Sequence, residues 1–367
     1  MSAHIYRGLE GVAFAKTALS EVDGAAGRVT IRGYDLRDLA GKVTFDDIVG
    51  LLFQGDLPTP SGRDALAASI REAVTLPFAA SAALSRAVAA DPMDALRAAA
   101  AALPSPSETN AATAISLIGG VAGMITDHHR LRLSEITPPE APEERSTAAF
   151  LLHGVLGRTP TIAQTRALDA YLVTMSEHGM NASTFVARCV ISTDSDMVSA
   201  LTAAIASLKG PRHGGVPGPL LHDLLAIGET SRIEPWVRAQ VAQKKRILGF
   251  GHRVYKVRDP RAEVLAEAAG ELAQTDKEKA LLQFVQDFDA ITSAVLAEIK
   301  PTHKLFVNVE LYAALILHLL GIPADLFTPL FAAGRTAGWC AHMIEQHGDN
   351  RLIHPEVSYV GARGREI

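Results

Sequence analysis

The chain has 367 residues, 48% hydrophobic and 20% charged, enough to bury a sizeable core and too apolar for a disordered or fibrous protein. A formal net charge of -5 excludes general affinity for nucleic acid, which needs a basic face to neutralise phosphates, so any anion site must be local. Two cysteines, Cys189 and Cys340, lie far apart without metal-ligand spacing, which excludes a disulfide framework and fits a reducing cytoplasm.

The N-terminus, MSAHIYRGLE, lacks a basic segment followed by an apolar stretch, and no run reaches the roughly 18 apolar residues of a membrane helix. A soluble protein without a membrane partner is expected. Residues 8–34 contain two short β-prone runs around DGAAG, which predicts a small hairpin. Beyond them Leu, Ala, Glu and Arg dominate, so the fold class is all-α. TFDDIVGLLFQ (44–54) opens with a Thr cap and an acidic first turn, and SGRDALAASIREAVTL (61–76) repeats the amphipathic pattern. TPPEAPEERS (137–146) reads as a surface loop. KGPRHGGVPGP (209–219) marks a lobe boundary, because glycines and prolines interrupt helices and make hinges, with a return crossing near Gly321-Ile322-Pro323. The expected lobes are 1–215 with 321–367, and 216–320. LYAALILHLLGI (311–322) predicts a buried helix of about a dozen residues.

Three stretches join titratable side chains to backbone punctuation: SLKGPRHGGV around His213, GFGHRVYKVRDPR around His252, and LFVNVELYAAL around Glu310. Singly, each reads as well for a loop or core residue. Together they suit proton abstraction from carbon. A carboxylate is too weak a base for a thioester methyl unless the enolate is stabilised, and two imidazoles can supply that stabilisation. Asp127-His128-His129 is no metal cluster, since adjacent helical side chains diverge, and no metal is expected.

GFGHRVYKVRDPR, together with KGPRHGG, HGMNAST (178–184) and GIPADLFTPLFAAGRTAGWCAHMIEQ (321–346), resembles the citrate synthase family in order and spacing. The resemblance implies a two-domain helical fold with a small N-terminal β-hairpin, a homodimer with active sites completed across subunits, and no tightly bound cofactor. It implies that His213 polarises the acetyl-CoA carbonyl, Glu310 takes the methyl proton, and His252 binds the ketone of oxaloacetate. His178, Asn181, Arg261, Arg335 and, from the partner subunit, the position of His354 match the family's oxaloacetate-holding set. Leu248, Gly249, Phe250, Gly251 and Lys256 match its coenzyme A surface. Arg261 offers a bidentate fork for a carboxylate, while Arg253 and Arg258 are left open between solvated and functional.

Three departures qualify these roles. Glu310 replaces the family's usual aspartate, His354 replaces an arginine, and Met175 with Glu177 replace a histidine and an aspartate beside His178. A 2-methylcitrate synthase using propionyl-CoA, an enzyme with another 2-oxo acid acceptor, and a non-catalytic binder of coenzyme A or a keto acid are the alternatives.

Overall fold

The computed structural model of the chain describes residues 5–134 and 145–366; the loop expected at 137–146 falls almost wholly outside them. The expected hairpin is present and carries one extra short strand. β1 (Ser20–Asp23), β2 (Arg28–Ile31) and β3 (Tyr34–Asp35) form an antiparallel sheet in sequential order, with Ser20 opposite Ile31 and Thr30 opposite Asp35. The third strand escapes a sequence reading because two residues carry no alternation to detect. The hairpin tip rests on the loop behind His252. The Gly24 carbonyl accepts the Lys256 N–H at 2.9 Å, and a Cβ on Gly24 would stand 2.3 Å from the Val254 carbonyl oxygen. Only glycine permits that approach.

Helices make up nearly all the remaining regular structure. Phe45–Gln54 begins at Thr44 with a complete capping box to Asp47 and stops at Gly55 in the left-handed region. Pro60–Glu72 starts a residue earlier than expected, at its Thr59 cap, and ends short of 76. Pro77 disfavours helical backbone at Leu76 and so limits the helix there.

The long Phe327–Gly348 helix packs against Ala111–Arg132, Ile162–Ser176 and Ala182–Ile191. Its residues Phe331 to Met343 are buried throughout, which explains the apolar, glycine-containing run. Val309–Leu319, the helix expected from residues 311–322, is buried from Leu311 to Leu317 and packs on Pro260–Leu272 and Pro217–Ile227. Asp276–Ile299 has the length and apolar composition of a membrane span. Its buried residues Val285, Phe288, Asp289, Thr292, Val295 and Leu296 recur at helical spacing, the stripe of a helix packed on one side.

Candidate active site

Two short segments build one wall of the site by pairing with each other. Gly251 donates its N–H to the Phe306 carbonyl at 2.7 Å, Asn308 donates to Gly249 O at 2.9 Å, and Phe250 bridges Val307. Gly249 and Gly251 adopt φ of 79° and 83°, where other residues are strained, which is why glycines stand on both sides of Phe250. Asn308 closes the arrangement: its Nδ2 donates to Gly251 O at 3.0 Å while its Oδ1 caps the Glu310 N–H at 3.0 Å. His252 and Glu310, distant in sequence, are thereby held beside one opening.

Asp259 performs a second join. Fully buried, it caps the Pro260–Leu272 helix through the Arg261 N–H, grips the Arg261 guanidinium, and accepts the Val309 N–H at 3.1 Å. Arg261 spends Nε and Nη2 on this carboxylate, at 3.0 and 2.8 Å. The bidentate edge expected to hold a substrate is therefore engaged within the protein, and the guanidinium's terminal end is what remains for a ligand.

The cavity measures about 240 Å³ and is lined by His178, His213, His252, Glu310, Arg261 and Arg335, with Asn181 and the backbone of Leu248 to Gly251 also on its wall. The structure thus brings most of the nominated residues together. Lys256 and His354 stay outside: the Lys256 ammonium lies 3.4 Å from the Arg253 carbonyl, and His354 sits with Phe14, Phe185 and Arg351 around a separate depression of about 1070 Å³. Arg212, Arg246 and Arg253 line the cavity without having been singled out for it.

The hydrogen bonds specify what each imidazole can do. His252 Nδ1 accepts backbone N–H groups from Val254 and Tyr255, both at 3.1 Å, so the neutral ring carries its proton on Nε2. Ser183 Oγ lies 2.8 Å from His213 Nε2 and 2.8 Å from Asn181 Oδ1, and accepts from Trp339 Nε1 at 3.0 Å. The hydroxyl's single proton can go to either acceptor. Given to His213, it places that ring's N–H on Nδ1. Asn181, expected near a ligand, caps the Ala182–Ile191 helix through the Thr184 N–H at 3.1 Å.

Burial and the neighbouring arginines hold the imidazoles neutral. His213 falls to about 4 through burial, then Arg335 and Arg261; His252 falls to about 4 through burial and then Arg261; His178 lies well below the usual range, again chiefly from burial. Glu310 moves oppositely. Burial raises it to about 7 against the pull of Arg261, which places a carboxyl near the pH at which a general base works best. Arg335 is lowered to about 10 by burial but remains a cation at neutral pH. Its Nε donates to Met175 O at 2.6 Å, while its buried Nη2 has no hydrogen-bond partner among the described residues. A buried guanidinium edge left open in this way is suited to an incoming carboxylate.

The departures beside His178 also acquire a place. Met175 is buried and supplies the carbonyl that orients Arg335. Glu177 is fully buried, accepts from Ser20 Oγ at 2.8 Å and the Gly179 N–H at 2.6 Å, and meets His342 Nε2 at 3.1 Å. Against the upward push of burial, the charge interaction and hydrogen bond with His342, then Arg335 and the Ser20 hydroxyl, hold its carboxyl below the ordinary range. The two cations left open also have partners. Arg253 donates to Gly8 O at 2.9 Å, and Arg258 pairs with Asp289 at 2.5 Å, an acceptor that also takes the Tyr312 hydroxyl at 3.0 Å.

Asp259, Ser183, Asn308 and Tyr255 are the contributors that residue-type reasoning passed over. Asp before Pro and Asn before VELY are helix-cap signals and could have been read as such. Ser183 and Tyr255 have no local signature, since the histidines their hydroxyls meet are distant in sequence.

The family model described as "Citrate synthase, C-terminal domain" matches residues 8–356. The chain is 36% identical over 372 residues to a citrate/2-methylcitrate synthase of Bacillus subtilis, covering 98% of this chain and 97% of that protein. A citrate synthase of Heyndrickxia coagulans is 35% identical, with 98% and 97% covered. Among solved structures, the ternary complex of the Thermoplasma acidophilum citrate synthase with carboxymethyl coenzyme A and oxaloacetate superposes with a TM-score of 0.90 at 28% identity, covering 99% of this chain and 98% of that one.

Proposed function

The chain belongs to the citrate synthase family, and from that premise we propose that it condenses acetyl-CoA with oxaloacetate to give citrate and coenzyme A. One observation carries the assignment of roles. A carboxyl raised to about 7, two neutral imidazoles and an unpartnered buried guanidinium edge face a single small cavity. Glu310 takes a proton from the thioester methyl, the C–H electron pair becomes the new C=C bond, and the C=O π pair moves onto the carbonyl oxygen. His213, with Ser183 donating to its Nε2, offers its Nδ1–H to that oxygen. The enolate carbon attacks the ketone carbon of oxaloacetate, and the C=O π pair moves onto the oxygen. That oxygen takes the His252 Nε2 proton to become the hydroxyl, with the proton held by Glu310 returned through solvent to the imidazole. Arg335 and the free end of Arg261 hold the oxaloacetate carboxylates. Water then cleaves the citryl thioester, releasing citrate and the coenzyme A thiol.

The coenzyme A moiety has a matching surface. Lys244, Lys245, Arg246, Arg253 and Lys300 line a groove that shares Arg246 and the Ile247, Phe250–Arg253 edge with the cavity. Clustered cations at the mouth of an otherwise acidic chain suit a phosphate-bearing ligand. We assign residues 1–215 with 321–367 to a large lobe and 216–320 to a small one, with the site in the cleft. Support comes from the cavity lining, which draws on His178 and Arg335 from the first and on His252, Arg261 and Glu310 from the second. A homodimer would bring His354 to the neighbouring subunit's site. The extended chain after Asn350, with exposed Leu352, Val357, Tyr359 and Val360, supports such an arm. Free Cys189 and Cys340 agree with a cytoplasmic setting.

A second reading, propionyl-CoA to 2-methylcitrate, is favoured by the double name of the Bacillus subtilis relative. One methylene alters selectivity by only about 1–3 kcal/mol, so both acyl groups are to be compared. The test is thiol release with oxaloacetate from acetyl-CoA and from propionyl-CoA, with the product identified. Citrate formed with the higher kcat/KM supports the first reading. A propionyl preference above tenfold replaces it with the second.

A further inference from the structure

Tyr255 touches both histidines that face the acceptor half of the cavity. Its backbone N–H donates to His252 Nδ1, its ring lies 4.6 Å from the His252 ring at 35°, and its hydroxyl sits 2.7 Å from His178 Nε2. The residue is 2% exposed, and the Arg261 guanidinium carbon is 5.8 Å from its ring centroid. No step of the proposed reaction uses this hydroxyl.

The direction of the hydroxyl bond follows from acid strength. Burial raises the Tyr255 phenol further above its ordinary range, so it is protonated, and burial with Arg261 keeps His178 neutral. Between a phenol and a neutral imidazole the phenol is the better acid and the ring nitrogen the better base. The favoured bond therefore runs from the Tyr255 O–H to His178 Nε2. A neutral imidazole that accepts at one nitrogen carries its proton on the other. His178 Nδ1 makes no hydrogen bond among the described residues and is not sealed off in the interior. Its free edge belongs to a ring that lines the cavity.

We propose that Tyr255 is a positioning residue that fixes the proton of each neighbouring imidazole, His178 on Nδ1 through its hydroxyl and His252 on Nε2 through its backbone N–H, so that both rings present N–H donors to a 2-oxo acid dianion. The inference deepens the acceptor assignment and rests on it. It makes the loop GHRVY one device: the same residue supplies a main-chain donor to the histidine three positions earlier and a side-chain donor to a histidine 77 positions away.

The experiment has two arms on the full chain. Histidine-selective ¹⁵N labelling, with the His178 resonance assigned by H178Q, reads the tautomer of the wild-type ring directly. The proposal expects the Nδ1–H form; an Nε2–H ring would overturn it, since Tyr255 would then be the acceptor. Calorimetric titration of oxaloacetate onto Y255F, which keeps the ring and its packing, is expected to show about tenfold weaker binding than wild type, a loss near 1.4 kcal/mol, while acetyl-CoA KM stays within about twofold. Unchanged oxaloacetate affinity in Y255F would also overturn it. If wild type binds no oxaloacetate at all, the acceptor assignment fails instead, and the tautomer measurement still decides the role of Tyr255.

Discussion

Asp259 holds Arg261 through two parallel hydrogen bonds, 3.0 Å at Nε and 2.8 Å at Nη2, with both side chains almost wholly out of solvent. The carboxylate also takes the Val309 N–H, so a single group ties the candidate substrate cation to the start of the helix carrying Glu310. Replacing one partner of a buried ion pair leaves the other charge without compensation, at a cost of about 3–5 kcal/mol. D259N is expected to lose stability on that scale in urea unfolding and to raise the oxaloacetate KM. An unfolding midpoint equal to wild type would show that the pair is not the joint described here.

Glu310 is the base whose chemistry is most exposed to pH. Raised to about 7, it is half protonated in the free enzyme near neutrality, and only the carboxylate can accept a proton. The expected kcat/KM for acetyl-CoA therefore climbs with pH along a limb centred near 7. E310Q keeps the shape and removes the base, and should cost about 10³-fold in kcat, with oxaloacetate affinity little changed. E310D installs the aspartate that the family resemblance implies but draws the carboxylate back by about 1 Å, a displacement that costs roughly 10²-fold when the surrounding helix is fitted to glutamate. A more active E310D would mean that the site retains the geometry of an aspartate enzyme.

The fold was largely legible because its signals are local. The Thr44 cap, the DGAAG turn and the apolar run of 311–322 each specify structure through neighbours in sequence, and each appears where expected. The site was legible in its titratable residues and not in their supports. His213, His252 and Glu310 stand beside glycines or a helix cap that mark them out, whereas Ser183 and Tyr255 act on histidines 30 and 77 residues away, pairings that only the folded chain creates. Arg261 shows the converse: its identity suggested a substrate fork, yet the aspartate two residues earlier occupies one edge of it.

The lowered imidazoles predict an acid-sensitive fold. Below about 6.5 an unfolded chain protonates His213 and His252, while the folded protein holds both neutral down to about 4. The unfolded state then binds more protons, so their contribution to stability declines as pH falls from about 6.5 to about 4. Glu310 has the opposite sign, its contribution declining as pH rises from 4.5 towards 7. Replacing both rings in H213Q/H252Q should flatten the acid side of a plot of urea midpoint against pH. Parallel wild-type and variant curves between pH 6.5 and 4 would contradict the assignment.

His354 supplies the last prediction, because the family resemblance implies an arginine at its position and it lies with Arg351 at the rim of the second depression, not at the cavity of its own chain. An imidazole lacks the planar fork that meets a carboxylate bidentately, so a subunit arm reaching its neighbour would grip the substrate less well than an arginine arm. A charge-assisted contact is worth about 1.5–3 kcal/mol, which corresponds to at least about tenfold in affinity. H354R is therefore expected to lower the oxaloacetate KM by about tenfold with kcat little changed, and the gain should vanish when the protein is diluted until sedimentation shows separated subunits. A KM that ignores both the substitution and the dilution would mean that residue 354 never reaches a neighbouring site, and that Arg335 with the free end of Arg261 completes the carboxylate grip within one chain.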